Sequence, residues 1–400
     1  MKQGKILLIL ALLCLLGLGV FGCRGTQPQG WSGAVAYDGI LYIGSMDGNI
    51  VAVNPSTRSQ GLSFPAEGEW ACPVKFSGSR GQTACASAVA QGNIYGTPSV
   101  AEDFVYVGVC DSKTLEGKVF AINPSVRIRG IDFPAWTEGE WIYPPPQISG
   151  TGRTQFGAVV GTPVIAGDTV YVGTSEGKVY ALDAEKGYCK WQFELEGKIW
   201  VSPAAQDDIV CIGNFDGELC ALSTQDGHLL WKFEAPAAIA SSPVICDDCV
   251  FFGSFDRCLY AIDVDSGEEK WKFQGGNWFW TCPLVDGDTV YASCLDHKVY
   301  AIEVKTGKEL WQFDAGDPIA SAPVLVGDLL VVASQSGEVY VLKAGSGECE
   351  RSISLGIPVL APIYAREGIV YAHAKDDFLY AVRLQTGEIV WKFSLAKRGW

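Results

Sequence analysis

The sequence predicts an all-β protein, a single eight-bladed β-propeller of four-stranded antiparallel blades. Three observations predict it. Tryptophan recurs every forty residues, at Trp191, Trp231, Trp271 and Trp311 and again at Trp391, with Arg351 in the intervening place. A glycine four residues upstream keeps the same interval through Gly187, Gly227, Gly267, Gly307, Gly347 and Gly387. Between these markers each copy holds four short β-rich runs bounded by Gly, Asp or Ser, the pattern of successive antiparallel strands joined by tight turns. A fixed period of this length marks stacked units that cannot bury their apolar faces alone. A closed ring of such units leaves only short, protected sheet edges.

The chain opens on a different segment. Lys2 and Lys5 precede an uninterrupted apolar run from Ile6 to Phe21, followed by Gly22-Cys23. A short basic region before an apolar run too short for a membrane span reads as an export signal. Residues 1–22 are therefore expected to be a leader, and 23–30 a tether. The propeller is expected over 31–396, its first strand beginning near Trp31.

Within that span the copy from Thr162 to Phe193 contains PVI, TVYVG, KVYALD and YCKWQF, here named strands A to D. Similar copies start at Pro203, Pro243, Pro283, Pro323 and Pro362, making six regular units. Two altered units precede them, with B and C strands in Leu41–Asn54 and Val105–Asn123. Each is followed by a matching passage, NPSTRSQGLSFPAEGEW and NPSVRIRGIDFPAWTEGEW, in which Phe64 and Phe133 are expected near the tryptophan position. The extra residues, near 67–95 and 138–160, are expected in D–A connections. No segment shows a helical period. No strand is exchanged between the termini in this reading, so blade-to-blade packing must close the ring.

Composition limits the partners. The chain has 400 residues, 48% of them hydrophobic, with 47 glycines and 13 tryptophans, which suits a turn-rich, aromatic-packed β protein. A formal charge of −15 leaves no basic surface for phosphates and excludes nucleic acid.

The string Ala-[Leu/Ile]-Asp-x-x-[Ser/Thr]-Gly-x-x-x-Trp-x-Phe stands nearly whole at Ala261–Phe273 and, with Glu303 for Asp, at Ala301–Phe313. It resembles the repeat of the pyrroloquinoline-quinone-type (PQQ-type) propellers. That resemblance implies that Trp191, Trp231, Trp271, Trp311 and Trp391 dock between adjacent blades. Val20-Phe21-Gly22-Cys23 resembles the lipobox of bacterial lipoproteins, which implies lipidation of Cys23; an uncleaved anchor and an ordinary cleaved signal are the alternatives.

Several patterns that look like chemistry carry none. Gly173–Gly177 matches GxSxG but lies in a hairpin turn whose siblings read GSMDG, GNFDG and GSFDR, not in a strand-turn-helix. GxGxxG at Gly17–Gly22 falls inside the leader. His228, His297 and His373 occupy three different repeats and share no ligand spacing. Asp47, Asp216, Asp256 and Asp296 recur in the B–C turn, where turn hydrogen bonding suffices to select aspartate and calcium is the alternative. Cys246 and Cys249 span an A–B turn, as plain thiols or a hairpin disulfide. Cys211 and Cys220 replace an aromatic pair expected to face across strands B and C, either as a disulfide or as two buried thiols.

Binding is expected where the repeat is broken on one rim. Trp200 and Trp278-Phe279-Trp280 lie in D–A connections, where the equivalents of Trp200 and Trp280 elsewhere are Ala240, Ala320 and Leu360. Large aromatics replacing small residues suggest a partner-binding face, and Trp70 and Trp141 are placed on it; packing under the inserted loops is the alternative. The chain most resembles the BamB-like lipoproteins. This implies an exported, membrane-anchored, non-catalytic scaffold facing the periplasm or cell exterior, with envelope or membrane proteins as partners. The enzymatic branch of the repeat family, the quinoprotein dehydrogenases with PQQ and calcium, typically carries an adjacent Cys-Cys pair that this chain lacks. A small-molecule or glycan-binding propeller is a further alternative.

Overall fold

Eight four-stranded antiparallel sheets follow one another along the chain, each with its strands in simple order. The computed structural model describes residues 32–74, 92–101, 103–111, 115–131, 133–145 and 156–396. The leader, Cys23 and the tether lie outside these residues. Blade 1 comprises β1 (Ala34–Tyr37), β2 (Ile40–Gly44), β3 (Asn49–Val53) and β4 (Trp70–Pro73). Blade 2 comprises β5 (Ser99–Ala101), β6 (Phe104–Cys110), β7 (Gly117–Ile122) and β8 (Trp141–Tyr143). Strands β9 to β32 build the six regular blades, from β9 (Val164–Ala166) to β32 (Ile389–Ser394). The first strands of neighbouring blades touch, β1 with β5 and β5 with β9 for example, which places them innermost about the axis.

Each blade is covered on both faces, so its strands read as nearly continuous apolar runs. In blade 4, Val210, Ile212, Cys220 and Leu222 pack toward blade 3, while Cys211, Leu219, Ala221 and Trp231 pack toward blade 5. One apolar cluster fills every blade interface, including that between blades 8 and 1. Among the described residues the ring therefore closes by packing, with no strand exchanged. A polar clasp accompanies the seam: His373 contacts the Ser32 carbonyl at 2.8 Å and Asp377 at 3.1 Å, and Asp377 accepts the Met46 N–H at 3.0 Å.

The forty-residue markers meet in space across the blade interface. Trp191 Nε1 donates to the Thr224 carbonyl of the next blade at 3.0 Å, and Trp231, Trp271 and Trp311 donate likewise to Val264, Val304 and Ala344 at 2.6–2.8 Å. The marker glycine of that next blade lies under the indole. A Cβ at Gly227 would come within 2.4 Å of Trp191, and one at Gly267 within 2.7 Å of Trp231. Within its own blade each of these tryptophans pairs with an alanine, as Ala181 with Trp191 and Ala221 with Trp231.

This frame corrects the reading of the first two blades. Ala52 pairs with Trp70, and Ala121 with Trp141. Trp70 and Trp141, not Phe64 and Phe133, therefore hold the marker position. Trp141 Nε1 donates to Ala184 at 2.8 Å, and its ring covers Gly187. Both indoles are buried between blades and belong to no exposed face. The passages 54–69 and 123–140 accordingly form enlarged C–D turns on the rim opposite the D–A connections, while the long D–A connections expected near 67–95 and 138–160 run over 74–98 and 144–163. Each enlarged turn begins with a short helix that periodicity could not reveal, α1 (Pro55–Ser59) and α2 (Pro124–Ile128). Asn54 and Asn123 cap them and Pro occupies the first turn, a combination that favours helix initiation.

The shared EGEW sequence explains why both insertions are ordered. Its second glutamate is buried and fully engaged. Glu140 accepts from Asn123 N at 3.0 Å, Ala135 N at 2.6 Å and Arg127 Nη2 at 2.9 Å. Glu69 accepts from Asn54 N, Thr57 Oγ1, Ala66 N and Arg58 in the same way.

The cysteine pair is also corrected. Ile212 pairs with Cys220, and Cys211 with Ala221, so the two cysteines are one residue out of register. Side chains alternate with a period of two, and that single step sends Cys211 and Cys220 to opposite faces of the blade. Both are free thiols, so they form no disulfide with one another. Cys246 and Cys249 do pair across their hairpin, and both are thiols.

Three outcomes follow from these contacts. Gly267→Ala and Gly387→Ala start from the same φ of 74°, so each should lose about 1 kcal/mol for the left-handed conformation. The Gly387 site meets the Arg351 side chain at 3.3 Å and the Gly267 site an indole at 2.7 Å. Gly267→Ala should therefore cost a further 1–3 kcal/mol, roughly, in urea unfolding. Glu140→Ala leaves Arg127 buried without its carboxylate and should destabilise by about 3 kcal/mol, with faster proteolysis at 123–140. Thiol titration without reductant should find Cys211 and Cys220 unreactive in the native protein and both reactive in denaturant.

Candidate partner-binding face

The rim formed by B–C turns and D–A connections carries an aromatic shelf across blades 4, 5 and 6. Backbone contacts set its geometry. The B–C turn of each blade is pinned to the connection entering that blade: Phe215 N donates to Lys198 O, Phe255 N to Ala238 O, and Leu295 N to Trp278 O, at 2.9–3.0 Å. The turns and the connections therefore project side chains onto one surface.

Phe255 is the centre of the shelf. Trp278 stacks on it at 4.3 Å between centroids and 15° between planes, and Trp280 lies 5.6 Å away at 18°. Phe215 meets Phe255 edge-on at 6.1 Å and Trp200 edge-on at 4.9 Å. Each such pair is worth about 0.5–1.5 kcal/mol beyond its buried area, so the shelf is a fixed platform. Phe255 is buried within it, while Trp200, Phe215, Trp278 and Trp280 remain partly exposed.

Trp200, Trp278 and Trp280 thus come together, and Phe279 does not join them. Phe279 is 1% exposed and packs between blades 5 and 6. It fills the place that Ile199, Ile239 and Ile319 take in other connections. The alternation of this extended segment sends residue 279 inward and its two neighbours outward. Phe215 and Phe255 were missed by sequence reasoning. Their signal was present, since the same turn position carries Met46, Ser175 and Leu295 in sibling blades.

The turn residues are explained locally. Asp256 and Asp296 accept from the tyrosine four residues on, Tyr260 and Tyr300. Asp296 also caps Gly276 N at 2.7 Å. His297 has a φ of 77°, the left-handed place that Gly177 and Gly217 take in sibling turns.

Beside the shelf the central channel opens in a cavity of about 200 Å³, lined by Trp200, Trp280, Thr281, Cys282, Phe215 and their neighbours. Burial pushes the Cys282 thiol up to about 12, and burial does the same to the nearby Cys294. These thiols stay protonated at neutral pH and supply no nucleophile. The arrangement is suited to holding a surface or a molecule.

Comparison with known proteins agrees with the architecture. A family model described as outer membrane protein assembly factor BamB matches residues 135–253, 237–347 and 295–398, more than half of the chain. No curated protein matches. Among solved structures, BamB from Moraxella catarrhalis is similar with 17% identity and a TM-score of 0.61, over 74% of this chain and 87% of that one. The computationally designed Ika8 protein is similar with 16% identity and a TM-score of 0.63, over 88% of this chain and 96% of that one. The quinohemoprotein alcohol dehydrogenase ADHIIG from Pseudomonas putida HK5 aligns with 16% identity and a TM-score of 0.47, over 55% of this chain and 51% of that one.

Proposed function

The chain belongs to the family of the outer membrane protein assembly factor BamB, and from that premise we propose that it is a non-catalytic scaffold. In this reading it is tethered to a membrane through a lipidated Cys23 and presents its B–C/D–A rim to another envelope protein. The observation that carries this reading is the aromatic shelf. Trp278 and Trp280 stack on Phe255 and remain partly open to solvent, and three sibling connections place Ala240, Ala320 and Leu360 where Trp280 stands.

Rigid aromatics with an exposed face are the usual anchors of protein interfaces, because they bring large contact area at little cost in conformational entropy. The shelf needs no rearrangement to serve as one, since stacking already fixes its side chains. The net charge of −15 favours partners with a basic or neutral docking surface.

The test is photo-crosslinking in the native membrane. A crosslinking residue at Trp278 is expected to capture a component of outer membrane protein assembly, and one at Tyr188, exposed on the opposite rim, is expected not to. Equal capture from both sites, or none from Trp278, would count against the reading.

A further inference from the structure

The cavity at the channel mouth differs in chemistry from the shelf beside it. Among the described residues no Asp, Glu, Lys, Arg or His lines it. One arc of its wall is a chain of hydroxyls that climbs from blade to blade. Thr97 N donates to Thr162 Oγ1 at 3.0 Å, Thr162 N to Ser202 Oγ at 2.8 Å, and Ser202 N to Ser242 Oγ at 3.0 Å. Each of these three hydroxyls is thereby fixed as an acceptor. No acceptor among the described residues takes their own hydrogens.

The series then breaks. The next members are Cys282, Ala322 and Pro362, so the opposite arc is apolar. At the break stands Thr281, 8% exposed, whose Oγ1 has no partner among the described residues. Its siblings Ser241 and Ser321 are satisfied, Ser241 by the Thr281 carbonyl at 2.7 Å and Ser321 by the Ala333 backbone at 2.9 Å. Trp200 Nε1 is also buried and without a partner. Both atoms are shielded from the cavity, so the unspent donors of its wall are the hydroxyls of Thr162, Ser202 and Ser242.

We propose that this cavity binds a neutral saccharide, one pyranose ring held between indole faces and hydroxyl donors. The wall rejects the other classes. Among the described lining residues an anion finds no cation and a cation no carboxylate. An apolar side chain would leave the hydroxyl arc unpaired. A pyranose has an apolar C–H face for Trp200 and Trp280 and ring hydroxyl oxygens that accept from the unspent donors. The cavity's 200 Å³ falls below the ~300 Å³ at which pockets for drug-sized ligands begin, which points to a single ring. The inference does not depend on the shelf's having a protein partner.

The test is titration of the full-length protein with maltotriose, cellotriose and chitotriose, followed by tryptophan fluorescence and calorimetry. At least one should bind saturably with a Kd on the order of 1 mM. Ser202→Ala removes one hydroxyl of the arc and should weaken binding about tenfold, with the melting temperature recorded to show that the variant is folded. Ser242→Ala should weaken it in the same direction, and Tyr188→Ala on the opposite rim should not affect it. The matching monosaccharide separates two sources: equal affinity indicates a free sugar, and tighter trisaccharide binding the end of a longer glycan. The proposal fails if none of the three binds up to roughly 50 mM, or if Ser202→Ala and Ser242→Ala bind as the parent does. It also fails if a trigalacturonate binds as tightly as the neutral sugars.

Discussion

One contact recurs around the ring, and the rest of the structure depends on it: an indole of one blade laid over a glycine of the next. The indole N–H bonds a carbonyl in the same turn that holds the glycine, so packing and hydrogen bonding act on one loop. Both partners are constrained. The glycine must take a positive φ and must lack a Cβ, because the ring occupies that space. The indole must have a small residue opposite it in its own sheet, which alanine supplies. A forty-residue period is therefore a contact between sequence neighbours in a ring, written once per blade.

Departures from this contact are local and compensated. In blade 7 the pair changes as a unit, from Ala opposite Trp to Val341 opposite Arg351. Arg351 keeps the inter-blade link by donating to Gln385 O at 3.0 Å. In blade 1 the Trp70 indole finds no acceptor among the described residues. The following blade there begins a helix at Pro124, where the regular blades offer a turn carbonyl. Blades 1 and 2 instead carry the buried Glu69–Arg58 and Glu140–Arg127 networks. The seam between blades 8 and 1 adds the His373–Asp377 clasp to its apolar cluster.

Function follows from asymmetry on a frame that is otherwise periodic. Seven of the eight marker positions hold an indole that packs between blades, and Trp200, Trp278 and Trp280 gather on one rim across blades 4 to 6. Because 54–69 and 123–140 occupy C–D turns, α1 and α2 lie on the rim opposite the shelf. The aromatic shelf and the cavity thus sit side by side, built from the same turns and connections.

The sequence by itself determined the number of blades, the order of strands and the rim that holds Trp200, Trp278 and Trp280, because these depend on local turns and on a period. It also held the asparagine caps of α1 and α2 and the unusual phenylalanines of the B–C turns, although neither has a period that would draw attention to it. Only the tertiary structure decided register and partnership. A one-residue step in strand pairing placed Cys211 and Cys220 on opposite faces, and the same alternation buried Phe279 between two exposed tryptophans. The assignment of Trp70 and Trp141 to the blade interface required knowing that segments of 16 and 18 residues could stand in C–D turns. Loop length costs little in free energy, so sequence spacing cannot locate a strand beyond a long loop, and the pairing of Ala52 with Trp70 can.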